Sequence, residues 1–290
     1  MNKRFLLGII GHPIGHSLSP IMHKIAAAEN GIGQHDFFYE KFNVTPEDLP
    51  LFMKKFRDGD MTGLNVTVPH KMAVMEFLDE IDDDAKAIGA VNTIARREGK
   101  LHGYNTDTYG FIHSITENAD LKNLEGKRAF VYGAGGAARA VVCGLAKAGV
   151  AGITIANRSV VNAEKLASSI GGAAALKAVG FGDEKSLIES VQGADIIVNT
   201  TSVGMEGGAD PAGALPGLEG LRSGQLAVDI VYRPLKTPFL ISAEKAGAAT
   251  LDGLWMLIHQ GAKAFEMWTG LPFPVGKARQ ALLEELNKHR

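Results

Sequence analysis

The chain predicts an α/β fold made of two α/β domains, the second a doubly wound parallel sheet. Three observations carry that prediction. Short apolar runs of strand type alternate with helical stretches along nearly all of the 290 residues. Gly133-Ala134-Gly135-Gly136-Ala137-Ala138 joins the apolar run 129–132 to a small-residue helical stretch at 139–148, which is the strand, tight turn and helix context of a dinucleotide site. That turn begins in the middle of the chain, so a region of domain length precedes it.

The elements follow in order. Residues 5–10 read as a strand ending at Gly11. Residues 21–29 read as a helix, with Ser19 placed to cap it and Pro20 at its first position. A second strand spans 36–43, and Thr45-Pro46-Glu47 caps a helix running to Arg57. A third strand, 63–68, is stopped by Pro69, and a helix follows to Leu78. Residues 92–95 and 100–104 form a hairpin around Glu98-Gly99. A helix at 108–118 and a polar connection at 121–127 lead to the second domain. There, strands fall at 129–132, 153–157, 195–199, 226–230 and 249–251, with helices between them. The last helices, 254–268 and 275–288, follow the last strand and fit either domain. The tract Gly171 to Ala175 is rich in small residues but short.

Composition excludes several classes. The chain is 46% hydrophobic and 21% charged, ordinary for a globular protein. Its net charge of −2 makes no electrostatic case for nucleic acid or an anionic membrane. The single cysteine, Cys143, cannot form an internal disulfide and reads as packing on an apolar helix. Lys3-Arg4 followed by the apolar residues 5–10 runs into Gly11-His12-Pro13 too soon for a secretory signal, and no run is long enough to span a membrane. A cytoplasmic protein is expected. His12 and His16 are separated by Pro13 and Gly15, which break helical spacing, and no third ligand lies nearby, so no metal is expected.

In the second half, Gly133 serves the turn, Gly135 admits close approach of a pyrophosphate, and Ala138 is small enough for helix–strand packing. Asn157-Arg158-Ser159 ends the next strand, where an NAD site usually carries a carboxylate. Arg158 is suited to meet a 2′-phosphate and Ser159 to add a hydroxyl, which points to NADP. The plainer reading is a solvated arginine and a helix cap. Asn199-Thr200-Thr201-Ser202-Val203-Gly204-Met205 follows another strand and either faces the ligand crevice or simply caps a helix.

Two segments of the first half are rich in small polar groups: 11–20 and Asn65-Val66-Thr67-Val68-Pro69-His70-Lys71. In the second, Asn65 and Thr67 alternate with Val66 and Val68, so one face carries hydrogen-bonding groups and the other packs. Lys71 stands at a predicted helix start, unfavourable for a cation, which hints at use; a solvated lysine is the plainer reading.

Eight motifs, in order along most of the chain, resemble the shikimate dehydrogenase family. They are Ser17-Leu18-Ser19-Pro20, the 65–71 segment, Gly89-Ala90-Val91-Asn92-Thr93, Gly103-Tyr104-Asn105-Thr106-Asp107, the 133–137 turn, Asn157-Arg158-Ser159, Asp229-Ile230-Val231-Tyr232-Arg233-Pro234 and Gly253-Leu254-Trp255-Met256-Leu257-Ile258-His259-Gln260. The resemblance implies reduction of 3-dehydroshikimate to shikimate with NADPH, in chorismate and aromatic amino-acid biosynthesis. It implies a discontinuous substrate domain, 1–108 with 259–290, and a Rossmann-type NADP domain, 109–258. It assigns the substrate carboxylate to Ser17 and Ser19 with Tyr232 nearby, and the ring hydroxyls to Asn65, Thr67, Asn92, Asp107 and Gln260. Lys71 and Asp107 become the catalytic pair. Gly133, Ala134, Gly135, Gly136, Ala137, Asn157, Arg158 and Ser159 hold the cofactor, Ile230 and Gly253 face the nicotinamide, and Asp83 matches an acidic cofactor-side position. The family occurs as monomers and homodimers.

Three departures from the family pattern stand out. Ser159 replaces a commoner Thr, and Val160-Val161-Asn162 lacks a second basic residue, which leaves use of both NAD and NADP open. His70 replaces a commoner aromatic residue. In the implied chemistry, hydride reaches the carbonyl carbon and Lys71 meets the growing alkoxide, as proton donor or as electrostatic stabiliser. The nearest alternative is a quinate/shikimate dehydrogenase working oxidatively with NAD or NADP. A catalytically idle NADPH sensor conflicts with the presence of Lys71 and Asp107. A methylene-tetrahydrofolate-type dehydrogenase leaves the 17–71 segments unexplained.

Overall fold

The computed structural model describes residues 4–119, 121–171, 174–208 and 210–288. Lys3 of the signal-like start, two residues of the 171–175 tract and the last two residues of the expected 259–290 segment lie outside the described residues. The chain divides into two compact units, 1–106 with 258–290, and 107–257.

The first unit holds β1 (Phe5–Gly11), α1 (Ser19–Glu29), β2 (Phe37–Asn43), α2 (Leu49–Asp58), β3 (Gly63–Val66), a 3₁₀ turn (Ala73–Phe77), β4 (Glu80–Ile81), α3 (Asp83–Ile88), β5 (Thr93–Arg97) and β6 (Lys100–Tyr104). The sheet order is β2-β1-β3-β5-β6-β4. β1 pairs parallel with β2 and β3, whereas β5 runs antiparallel to both β3 and β6. The hairpin expected around Glu98-Gly99 is present, with Arg97 opposite Lys100 and both turn residues at positive φ. Pleating sends Ile10, Leu64, Val66, Ile94 and Leu101 to one face, where they pack with Leu49, Met53 and Phe56 of α2. Tyr39 opposite Leu7, Asn65 opposite Ile9 and Thr93 opposite Asn65 belong to the other face.

Several local expectations are corrected here. Ser19 is the first residue of α1 rather than its cap; Leu18 takes that position and no side chain caps the helix. Thr45 makes a turn instead, its Oγ1 accepting from the Asp48 amide at 3.3 Å, and α2 starts only at Leu49. β3 ends at Val66, two residues early, because the chain turns back where the His70 amide donates to the Thr67 carbonyl. Val68 therefore does not pack: it is 68% exposed. The helix expected after Pro69 is only the 3₁₀ turn at Ala73–Phe77, so Lys71 stands at no α-helix N-terminus and the dipole argument for it fails.

The second unit holds α4 (Asp107–Asn118), β7 (Arg128–Tyr132), α5 (Gly136–Lys147), β8 (Gly152–Asn157), α6 (Val160–Ser169), β9 (Ala175–Gly180), α7 (Glu184–Gln192), β10 (Ile196–Asn199), a short 3₁₀ turn (Leu218–Gly220), β11 (Leu226–Asp229), α8 (Pro238–Lys245) and β12 (Ala249–Leu251). α9 (Gly253–Thr269) begins in this unit and continues into the first, which α10 (Val275–Lys288) completes. All six strands are parallel, in the order β9-β8-β7-β10-β11-β12. In sequence terms that is 3-2-1-4-5-6, the doubly wound dinucleotide-binding order, with its switch point between β7 and β10. β9 was not expected from the sequence; Ala175 and Lys177 are exposed on this edge strand, so its apolar signal is thin.

Burial on both faces explains the apolar runs. Ala129 and Val131 pack on one side with Val141, Leu145 and Phe111, while Phe130 and Tyr132 pack on the other with Leu187, Val191 and Phe239. Cys143 is buried on α5. Among the described residues no helix is long and apolar enough to cross a membrane.

Candidate active site

In the first unit, a chain of buried hydrogen bonds joins three of the residues singled out above. The register that sets Asn65 opposite Thr93 brings the Asn65 Nδ2 to 3.1 Å from Thr93 Oγ1 and 3.2 Å from the Asn92 carbonyl. Thr93 Oγ1 donates to Asn92 Oδ1 at 3.1 Å, and the Thr106 amide donates to the same oxygen at 2.7 Å. Asn92 Nδ2 reaches Thr106 Oγ1 at 3.0 Å and Gln260 Oε1, on α9, at 3.3 Å. At the other end, the Tyr39 hydroxyl donates to Asn65 Oδ1 at 2.6 Å. The Ser19 amide donates to Ser17 Oγ at 3.3 Å. Asn65, Asn92 and Gln260 are thus brought together, at the sheet and the helix α9, while Ser19 is buried on α1.

Thr67 and Lys71 follow β3 on the turn that leaves the sheet, both half-buried. The Thr67 amide donates to the Ile10 carbonyl and the Lys71 carbonyl accepts from Val91, which ties the turn to both sides of the sheet. His70 is buried, and its Nε2 lies 2.7 Å from the Val44 carbonyl, a hydrogen bond that a hydrocarbon ring at this position lacks. Asp83 opens α3 in this unit; it is exposed and paired with Lys86 at 3.0 Å. Tyr39, Thr93 and Thr106 were missed as members of the site. Their signal was faint: single polar groups on buried strands or, for Thr106, in the connection after β6, each with a partner at least a dozen residues away in sequence.

In the second unit the glycine turn sits at the switch point. Gly133 has φ +105°, and a Cβ there would stand 2.6 Å from Thr200 Oγ1, so the turn needs glycine on both counts. The first residue of α5 is Gly136 and its cap is Gly135; a Cβ on either would meet nothing within 4 Å. A helix N-terminus opening on clear space suits an approaching pyrophosphate, so these residues fit a dinucleotide. Asn157 ends β8, its Nδ2 donating to the Ser159 carbonyl at 3.0 Å. Arg158 and Ser159 are exposed, and Ser159 is the cap residue of α6 without a capping side-chain bond.

Across the switch point, Asn199 and Asp229 are fully buried at the ends of β10 and β11. Asp229 accepts from Thr237 Oγ1 at 2.6 Å, from the Val231 amide at 2.9 Å and from Asn199 Nδ2 at 3.0 Å. Burial still outweighs these bonds and pushes its pKa up to about 6. Asn199 in turn accepts from the Thr201 amide and hydroxyl. The pair braces the 199–205 and 229–237 loops, and with them Ile230 and the half-buried Tyr232. Gly253 packs on Ile230, where a Cβ would stand 2.2 Å from the Ile230 carbonyl oxygen. Asp107 is the buried first residue of α4. Among the described residues, no three His, Cys, Asp or Glu side chains are grouped to hold a metal.

Comparison with known proteins covers both units. The family described as the shikimate dehydrogenase substrate binding domain matches residues 9–94, shikimate / quinate 5-dehydrogenase matches 116–205, and the shikimate 5′-dehydrogenase C-terminal domain matches 253–283. The chain is 43% identical to a shikimate dehydrogenase (NADP(+)) of Methanopyrus kandleri, over 97% of this chain and 96% of that one. A shikimate 5-dehydrogenase from Listeria monocytogenes, solved in complex with shikimate and NAD, superposes with TM-score 0.88 at 36% identity, covering 96% of each chain. A quinate dehydrogenase from Corynebacterium glutamicum, in complex with NAD, superposes with TM-score 0.87 at 31% identity, covering 98% of this chain and all of that one.

Proposed function

Because the chain belongs to the shikimate dehydrogenase family, we propose that it is an NADP-dependent shikimate dehydrogenase, reducing 3-dehydroshikimate to shikimate in chorismate and aromatic amino-acid biosynthesis. The observation that carries this reading is the 43% identity extending over 97% of the chain, through both units. In the reading, the first unit supplies most of the substrate contacts and the second most of the cofactor contacts. Bound NADPH supplies hydride to the carbonyl carbon.

Ser17 and Ser19 hold the carboxylate with Tyr232, while Asn65, Thr67, Asn92 and Gln260 hydrogen-bond the ring hydroxyls. A compact polyhydroxylated acid needs many short polar partners, and a site that bonds each hydroxyl rejects analogues lacking one. The Lys71 ammonium gives its proton to the carbonyl oxygen as that oxygen gains charge, and Asp107 orients the lysine and accepts from a substrate hydroxyl. Gly133 to Ala137 cradle the pyrophosphate, Arg158 with Asn157 and Ser159 takes the 2′-phosphate, and Gly253 with Ile230 lies against the nicotinamide. Asp83 is a further cofactor-side residue. The protein works in the cytoplasm, as a monomer or homodimer.

Steady-state kinetics decide the matter. Measuring kcat/KM for shikimate and for quinate, each with NADP+ and NAD+, should give the highest value for shikimate with NADP+. The quinate dehydrogenase likeness and the lone arginine after β8 make the second reading concrete: a higher kcat/KM for quinate with NAD+ would replace the first.

A further inference from the structure

We propose that Tyr39 is a positioning residue of this site: its hydroxyl sets the Asn65 carboxamide so that Asn65 meets the substrate as a hydrogen-bond acceptor. The inference rests on the reading that Asn65 contacts a substrate hydroxyl.

Hydrogen-bond chemistry leaves the network one arrangement. The Asn92 carbonyl only accepts, so the Asn65 group 3.2 Å from it is the amide nitrogen. The second proton of that nitrogen is directed to Thr93 Oγ1 at 3.1 Å. Asn65 Oδ1 must then face Tyr39, and at 2.6 Å the phenol is the donor. The same logic orients the next amide: the Thr106 amide only donates, so Asn92 presents Oδ1 to it and Nδ2 to Thr106 Oγ1 and Gln260. Both Asn65 protons are committed within the network, so what it offers a ligand is the remaining lone pair of Oδ1.

Tyr39 itself is fully buried on β2, so it acts through Asn65. Its ring is held by the His23 imidazole, stacked at 4.5 Å and 19°, and by Trp268 at 6.3 Å.

The test is Tyr39→Phe in the full-length protein, which removes one oxygen and keeps the stacked ring. KM for shikimate should rise about tenfold, the worth of one lost buried hydrogen bond, with a smaller change in kcat and none in KM for NADP+. In a cycle with Asn65→Ala, the double variant should be no worse than Asn65→Ala alone, because the tyrosine acts through the asparagine. Without any substrate, the Asn65 carboxamide protons should be protected from exchange in the wild-type NMR spectrum and lose that protection in Tyr39→Phe. The wild-type protein should also show a slowly exchanging Tyr39 hydroxyl proton, a check that needs no variant. A wild-type KM in Tyr39→Phe, additive losses in the cycle, or unchanged amide protection would overturn the proposal. A wild-type protein that does not turn over shikimate would instead sink the functional reading, with the exchange measurement still deciding the role of Tyr39.

Discussion

His23 lies among Tyr39, Phe265, Trp268 and Phe273 with neither ring nitrogen hydrogen-bonded, and burial pushes its pKa down to about 3. The unfolded chain protonates this histidine near 6.5. Between those values the unfolded state binds the extra proton, so the stability tied to His23 is full above pH 6.5 and is lost as pH falls toward 3. Asp229 has the opposite sign. Its carboxyl is raised from 3.8 to about 6, so its contribution is full below 3.8 and is lost as pH rises through 6. Where the two windows overlap, between 3.8 and 6, the groups contribute one proton each with opposite sign and their slopes offset each other. Urea unfolding at pH 4, 5, 6 and 7 should show that His23→Phe flattens the acid-side decline and Asp229→Asn steepens it; the reverse pattern would contradict these assignments. Lys71 makes a different prediction, because it belongs to a half-buried turn rather than a core. Lys71→Ala should lower kcat by roughly 10²–10⁴ without moving the unfolding midpoint, and near-normal turnover would remove it from the chemistry. Lys71 was legible in the sequence for a reason the structure does not support, since no α-helix begins there. The His23 and Tyr39 environment was not legible, because its partners come from α9 and β3.

At the scale of elements, the two kinds of glycine in the second unit separate fold from function. Gly253 starts α9 against the backbone of Ile230 and Val231, with prospective contacts of 2.2 to 2.8 Å that no side-chain rotation relieves. Gly135 caps α5 with φ −87°, a conformation any residue adopts, and open space around it. Gly253→Ala should therefore destabilise the chain by about 1–3 kcal/mol, the usual cost of overpacking. Gly135→Ala should leave the midpoint nearly unchanged and weaken NADP+ binding, measured by calorimetry. Equal stability losses in both would mean that the turn at 133–138 is merely structural. The contrast also shows what strand and helix patterns carry. The inner parallel strands β7, β8, β10 and β11 announce themselves as apolar runs because both faces are covered. β9 and β4 lie at sheet edges with few buried residues and left little trace. The polar face read along 65–69 held at Asn65, but its apolar complement failed at Val68 because the chain leaves the sheet after Val66.

At the scale of the molecule, the first unit is built from both ends of the chain. Phe265, Trp268 and Phe273, from the last part of the sequence, pack around His23, Tyr39 and Phe37 from its first part. Trp268 also donates its indole N–H to the Ile94 carbonyl at 2.9 Å, and α10 closes on α1. The second unit has its own core on both faces of its own sheet. Damage to the aromatic cluster should then fall on one unit. Trp268→Ala removes a buried indole and its hydrogen bond, at a cost of about 3–5 kcal/mol. In calorimetric scans this variant should lose stability in the transition that shikimate shifts, while the transition that NADP+ shifts stays in place. Its affinity for NADP+ should match wild type even where shikimate turnover has collapsed. The physical reason is linkage: each ligand stabilises only the cooperative body that binds it. Should Trp268→Ala lower both transitions together and weaken NADP+ binding in step with turnover, the two cores would form a single cooperative body, and the assignment of one ligand to each unit would lose its thermodynamic support.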